Sequence, residues 1–159
     1  MISTHNIRKL NIADLPEAIE LVWKVFVEFE APDFSDEGIK EFKSGLGFPE
    51  MQEKLQKCEW IFWGCFMGNK LVGVAATRQP CHISLLFVDK HFHKHGIAKA
   101  LIKTALESYK EAGHNAVTVN SSPYAVEIYK RMGFEATDTE QVIKGMRFTP
   151  MTKELKGYG

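Results

Sequence analysis

The sequence predicts a single mixed α/β (α+β) domain over residues 1–159, on three observations. Residues 59–77 read as an aromatic-rich β-hairpin, the apolar period turns helical after Gly96, and a second strand and helix follow before a closing hairpin. Strands therefore cluster early and βα units come later.

A short strand near Ile7 to Leu10 opens the chain. Asp14-Leu15-Pro16-Glu17 joins an N-cap acid, an early proline and a first-turn glutamate, and Leu15, Ala18, Ile19, Val22, Trp23 and Phe26 continue as one apolar stripe. Pro32 ends that helix. Ser35 caps a shorter one carrying Ile39, Phe42 and Leu46. The hairpin runs from Trp60 to Phe66, turns at Gly68-Asn69 and returns from Leu71 to Thr77; a fourth strand, Ile83 to Val88, follows Pro80. Ala98, Leu101, Ile102, Ala105 and Tyr109 mark the next helix, with Gly113 near its end, and Ala116 to Asn120 a fifth strand. Pro123 begins a last helix through Val126, Tyr129 and Lys130, which Gly133 stops. The closing hairpin is expected from Phe134 to Ala136 and from Val142 to Phe148.

At 159 residues, 45% hydrophobic and 11% aromatic, the chain can bury a core without disulfides or metal. Its 20 basic side chains balance 20 acidic ones, which excludes a general nucleic-acid binder and gives no whole-molecule pull toward anionic membranes. Cys58, Cys65 and Cys81 lack the close pairs of a zinc site and read as reduced thiols serving as small hydrophobes. The first residues carry no leader-like apolar run, and no stretch nears the about 18 apolar residues of a membrane span, so a cytoplasmic protein is expected.

The informative segment is residues 85–101, an apolar strand, a polar turn, then a helix opened by Gly96 and Ala98. A helix N-terminus offers unpaired N–H groups and a favourable dipole to an anion, and glycine removes the Cβ that would hold a phosphate away. His93, Lys94, His95 and Lys99 are potential cations, and no acid occurs from Lys90 to Lys103. Phosphate binding follows; the alternative is an ordinary βα turn with a solvated basic rim. Neither G-K-S/T nor G-x-G-x-x-G is present. His91, His93 and His95 alternate, a spacing that in a strand would point all three one way as metal ligands, but no carboxylate or cysteine in the segment completes a set, and no metal is expected.

With Val88 ending the strand and His93-x-x-Gly96-x-Ala98 following, the segment resembles the pyrophosphate motif of the GNAT superfamily of acyl-CoA-dependent N-acetyltransferases, with histidine at the position usually held by glutamine or arginine. Ser122-x-x-Ala125-x-x-Ile128-Tyr129-x-x-x-Gly133-Phe134 resembles a second motif of that family, with serine where asparagine is common and Asn120 two residues earlier. The resemblance covers nearly the whole chain in element order.

It implies a GNAT fold: a mixed central sheet of about six to seven strands, splayed between the fourth and fifth, with about four flanking helices. It implies acetyl-CoA as co-substrate in the splay, its pantetheine against Leu86, Phe87 and Val88, its pyrophosphate on the loop from His93 through Lys94, His95, Gly96, Ile97 and Ala98 to Lys99, and Asn120 or Ser122 on the pantetheine. It implies acetyl transfer to a primary amine by direct attack, with a β4 backbone N–H near Phe87 or Val88 for the oxyanion and Tyr129 as general acid on the thiolate. His82, on the same face of the fourth strand as Ser84 and Leu86, is the candidate base, acting directly or through water, or water alone serves. Six acids between Glu28 and Glu41, among them Glu30 and Asp33, would suit a cationic acceptor, whereas Phe29, Phe34 and Trp23 would suit a hydrophobic amine. The acceptor is a small-molecule amine or a protein or peptide amine. Monomer and homodimer both stay open, as does a non-catalytic acyl-CoA sensor or scaffold.

Overall fold

In the computed structural model, which describes residues 6–155, strand pairing runs in the order β1-β2-β3-β4-β5-β8-β6, with β7 added alongside β8. The strands are β1 (Ile7–Lys9), β2 (Trp60–Met67), β3 (Lys70–Arg78), β4 (His82–Val88), β5 (Ala116–Ser121), β6 (Glu135–Ala136), β7 (Gln141–Ile143) and β8 (Met146–Glu154). The helices are α1 (Leu15–Phe29), α2 (Asp36–Gly45), α3 (Phe48–Gln56), α4 (Ile97–Glu111) and α5 (Val126–Arg131). Neighbouring strands are antiparallel except β4 and β5, which run parallel. The sheet thus has one strand more, and the layer one helix more, than the sequence suggests. Residues 1–5, read as lacking a leader, lie outside the described residues.

The sheet is covered on both faces. α1 buries Leu15, Ala18, Leu21, Val22, Val25 and Phe26, its stripe facing Val74 and Ala76 of β3. α4 buries Ile97, Leu101 and Ala105 against Ala75 on the other face, so closely that a Cβ at Gly73 would sit 2.8 Å from Ile97 Cγ2. A second cluster gathers Tyr129 of α5 with Val117, Val119, Met151 and Phe134 beyond β4. Cys65 and Cys81 are buried there and in the sheet, and Cys58 is exposed; all three are free thiols. No helix among the described residues is long and apolar enough to cross a membrane.

Two local features prepare the site. β4 meets β5 only at His82↔Thr118 and Ile83↔Val119, although β4 continues to Val88 and β5 to Ser121. On its other side, β4 skips a partner at Ser84, pairing Thr77↔Ile83 and then Ala76↔Leu85, a bulge that bends the strand as it leaves β5.

The closing hairpin differs from its expected form. Val142 to Phe148 is not one strand: it turns at Lys144 and Gly145, whose φ values of 52° and 78° fit a primed two-residue turn. That turn rests on the start of α2. Ser35 Oγ accepts from the Gly38 amide at 3.2 Å, Lys144 pairs with Glu41 at 3.5 Å, and Arg147 lies 3.8 Å from Asp33. A Cβ at Gly38 would run into the Gly145 carbonyl.

Gly38→Ala therefore forces backbone apart and is expected to lower stability by about 1–3 kcal/mol in urea unfolding. Gly45→Ala, in the same helix with nothing within 4 Å of the new Cβ, is expected to cost nothing.

Candidate active site

Where β4 leaves β5, two cavities open side by side. The larger, about 540 Å3, lies between the end of β4, the start of α4 and α5; the smaller, about 330 Å3, lies between the β4–β5 fork, the α1–α2 connection and the β7–β8 hairpin. Glu30, Leu86, Phe87 and Ala125 line both, which makes them the junction.

The loop leading into the larger cavity is held from beneath. Asp89 is almost fully buried; its Oδ1 accepts from the His91 amide at 2.9 Å and its Oδ2 lies 3.4 Å from Lys24 Nζ. Burial pushes its carboxyl up, but the His91 N–H and Lys24 outweigh burial and leave it below the usual carboxylate range. His93 Nε2 donates to the Val88 carbonyl at 2.8 Å, and its ring packs on Phe29 with centroids 5.0 Å apart. The histidine thus ties the loop to the end of β4. Lys94 and Gly96 both have positive φ, 65° and 77°, and Gly96 is the N-cap of α4. A Cβ there would meet no protein atom within 4 Å, so packing does not demand the glycine; the left-handed backbone does. The first amides of α4, which have no partners inside the helix, come from Ile97, Ala98 and Lys99, all cavity-lining. Arg131 of α5 adds a cation.

The smaller cavity is mainly apolar and aromatic, with Phe34, Phe42, Phe148 and Met146 in its wall. Tyr129 lines it, edge-on to Phe134 at 5.3 Å between centroids; burial, then Glu30, pushes its phenol above the usual range, so it stays protonated at neutral pH. Ser84 Oγ is buried there without a partner. Glu30, the C-cap of α1, is partly buried; loss of water pushes its carboxyl up to about 7, against the opposing pull of the nearby Ser122 hydroxyl and with help from Asp33.

The residues singled out in the sequence are distributed as follows. Leu86, Phe87, Val88, His93, Lys94, Gly96, Ile97, Ala98 and Lys99 line the larger cavity. His95 does not; its ring packs edge-on against Phe92. Asn120, Ser122 and Tyr129 line the smaller one. His82 lines neither. It sits at the paired end of β4 with Nδ1 2.8 Å from Thr118 Oγ1, and burial, aided by Arg78, brings its pKa down to about 4, leaving it neutral at pH 7. The acidic segment is not a free rim: Glu28 pairs with Lys90 at 3.0 Å, Asp33 with Arg147 and Glu41 with Lys144. Phe34 lines the smaller cavity, while Phe29 packs on His93 and Tyr124, and Trp23 stacks on Phe26. Arg131, Tyr124 and Arg147 have no motif to announce them, and neither does the junction position of Glu30. Among the described residues, no three His, Cys, Asp or Glu side chains form a metal-binding group.

Residues 30–155 match the family model described as an acetyltransferase (GNAT) domain. An uncharacterised N-acetyltransferase of Methanocaldococcus jannaschii is 29% identical over 91% of this chain, which spans 66% of that relative's length. An uncharacterised Bacillus subtilis protein, YyaT, is 25% identical over 94% of this chain and 96% of its own. Among solved structures, the PaiA N-acetyltransferase of Thermoplasma acidophilum in complex with coenzyme A has the same fold, with a TM-score of 0.80 at 22% identity over 93% of this chain and 97% of that one.

A raised carboxyl pKa costs stability once ionised. The folded value near 7 against an ordinary 4.5 means that stability is full below about pH 4.5 and is lost as pH rises toward 7. Glu30→Gln is thus expected to stabilise the chain at pH 8, by at most about 3 kcal/mol, with the gain fading by pH 4. Urea titrations of both proteins at the two pH values measure it.

Proposed function

The chain belongs to the GNAT acetyltransferase family, and we propose that it transfers the acetyl group of acetyl-CoA to a primary amine by direct attack within a ternary complex. The observation that carries this reading is the meeting of two cavities along the unpaired edge of β4. One is rimmed by cations and helix amides, the other is apolar, and a transfer reaction needs two substrates to approach one point from separate sides.

The larger cavity fits acetyl-CoA. The positive-φ backbone at Lys94 and Gly96 turns the loop so that the first amides of α4 reach the cavity, and Lys94, Lys99 and Arg131 supply charge for phosphates. Leu86 to Val88 offer the pantetheine a strand edge that β5 leaves unpaired beyond Ile83. Asn120 and Ser122, on the far side of the fork, are available to the same arm.

The acetyl group then lies at the junction. A β4 amide near Phe87 or Val88 takes the developing oxyanion, and Tyr129, kept protonated by its burial, gives its phenolic proton to the departing thiolate. The resulting phenolate recovers the surplus proton from the newly acylated nitrogen, so the tyrosine ends as it began.

The smaller cavity supports an amine with a compact apolar body. Its aromatic wall of Phe34, Phe42 and Phe148 offers dispersion and burial, and three of the six acids that would attract a polycation, Glu28, Glu41 and Asp33, are already paired with Lys90, Lys144 and Arg147. Three free thiols support a reducing, cytoplasmic setting.

A panel of primary amines scored by thiol release from acetyl-CoA tests the activity: turnover with an arylalkylamine exceeding that with spermidine is expected, and acetyl-CoA binding without turnover across the panel would point to a sensor instead. Gly96→Val, a β-branched residue at positive φ facing the cavity, is expected to weaken acetyl-CoA binding at least roughly tenfold by calorimetry. Tyr129→Phe is expected to lower kcat by about 10²-fold with acetyl-CoA affinity unchanged; full turnover in that variant with chemistry rate-limiting removes the tyrosine from its role.

A further inference from the structure

We propose that Glu30 is the catalytic base that takes the proton from the acceptor ammonium. The assignment rests on the acetyl-transfer reading above and adds a residue to it. Four residues line both cavities, and of these Leu86, Phe87 and Ala125 have no side-chain proton acceptor. Among the described residues Glu30 is the only ionisable one that lines both cavities, and their junction is where amine nitrogen and thioester carbonyl must meet.

Its place is fixed by the chain. Glu30 ends α1 with its amide donating to the Phe26 carbonyl at 2.9 Å, and the 3-10 turn Ala31–Asp33 that follows, with Pro32 at its second position, redirects the backbone. The carboxyl thus projects from a rigid helix end. The groups around it come from four other elements: Asp33 on the 3-10 turn, the Ser122 hydroxyl and Tyr124 after β5, Tyr129 on α5 and Arg147 on β8. Arg147 is engaged elsewhere, since its Nε and Nη2 donate to the Glu140 carboxylate at 3.0 and 3.2 Å. Phosphate-side cations and Glu127 line the larger cavity.

That environment suits a base. Desolvation and Asp33 disfavour the carboxylate, and Ser122 favours it, so Glu30 is divided between its two forms near neutral pH. A carboxylate in the ordinary range would be too weak to accept a proton from an ammonium efficiently, while one near the working pH is matched to the task. His82, the alternative on β4, is held at the closed end of the fork by Thr118.

The step balances without a further reactant. Ionised Glu30 accepts one proton from the ammonium and becomes the neutral acid; the freed lone pair forms the C–N bond as the thioester C–S bond breaks; Tyr129 protonates the sulfur and is reprotonated from nitrogen. Glu30 then releases its proton to solvent before the next cycle. Base function is present above about pH 7 and is lost as pH falls through that value.

The test compares Glu30→Gln with the parent on 2-phenylethylamine and on its β,β-difluoro analogue, whose nitrogen is mostly unprotonated at pH 7 and needs no base. The expected result is a loss of about 10²-fold or more in kcat/KM for phenylethylamine, removal of the rise through pH 7, and a loss under about tenfold for the difluoro amine, with acetyl-CoA affinity unchanged. Equal losses on the two amines, or a retained rise, overturn the assignment and mark Glu30 as structural. A parent chain that turns over neither amine overturns the acceptor reading and this assignment with it. Independently of any acceptor, the 13C carboxyl resonance that Glu30→Gln removes is expected to titrate near 7, and a midpoint in the ordinary glutamate range overturns the proposal.

Discussion

Two residue pairs, His82↔Thr118 and Ile83↔Val119, join the halves of this sheet, and the site depends on that join being so short. Had β4 and β5 paired along their length, the backbone edge from Ser84 to Val88 would be used up and no gap would open. The bulge at Ser84 begins the divergence, and packing on each side preserves it: α1 and α4 clamp β4 to the first half, while Tyr129, Phe134 and Met151 hold β5 to β8. Open strand edges normally carry a risk of unwanted pairing. Here the edge is recessed between cavity walls, where a pantetheine arm can use it.

Charge is arranged by the same division. A chain with no net charge places Lys94 and Lys99 beside the larger cavity, and three acids of its acidic segment, Glu28, Glu41 and Asp33, are paired with Lys90, Lys144 and Arg147. These pairs are exposed and contribute little to stability, but they fasten the α1–α2 connection to its neighbours. Glu30 differs from these three. Helix geometry brings it inward to a place with little water, where ionising it costs free energy that a merely structural residue would not be expected to impose. The compact β7–β8 turn against Gly38 closes the other wall of the same cavity.

Much of this was legible in the sequence. The α1 stripe, the Gly68-Asn69 turn and the helix opened by Gly96 each have a local cause, periodicity or backbone freedom, that requires no knowledge of distant residues. The two motifs single out the loop and Tyr129, and the loop residues other than His95 line the larger cavity while Tyr129 lines the smaller. What escaped is non-local or weakly signalled. α3 is nine residues long with only Phe48, Met51 and Leu55 to suggest a face, and Lys144-Gly145 is a less obvious primed turn than Asn-Gly. His82 and Ser84 share a strand with alternating faces, but only Ser84 lines a cavity, because His82 pairs with Thr118 of β5 where the two strands are still joined. Glu30 looked like one acid among six because only the fold distinguishes an inward carboxylate from its exposed neighbours.

A crystal structure of the chain with acetyl-CoA tests the central claim most directly. The account requires the pyrophosphate on the amides between His93 and Lys99, the pantetheine along Leu86 to Val88, and the thioester at the junction with Tyr129 and Glu30 on either side of it. A cofactor bound outside the β4–β5 fork, or a thioester remote from both side chains, would contradict it.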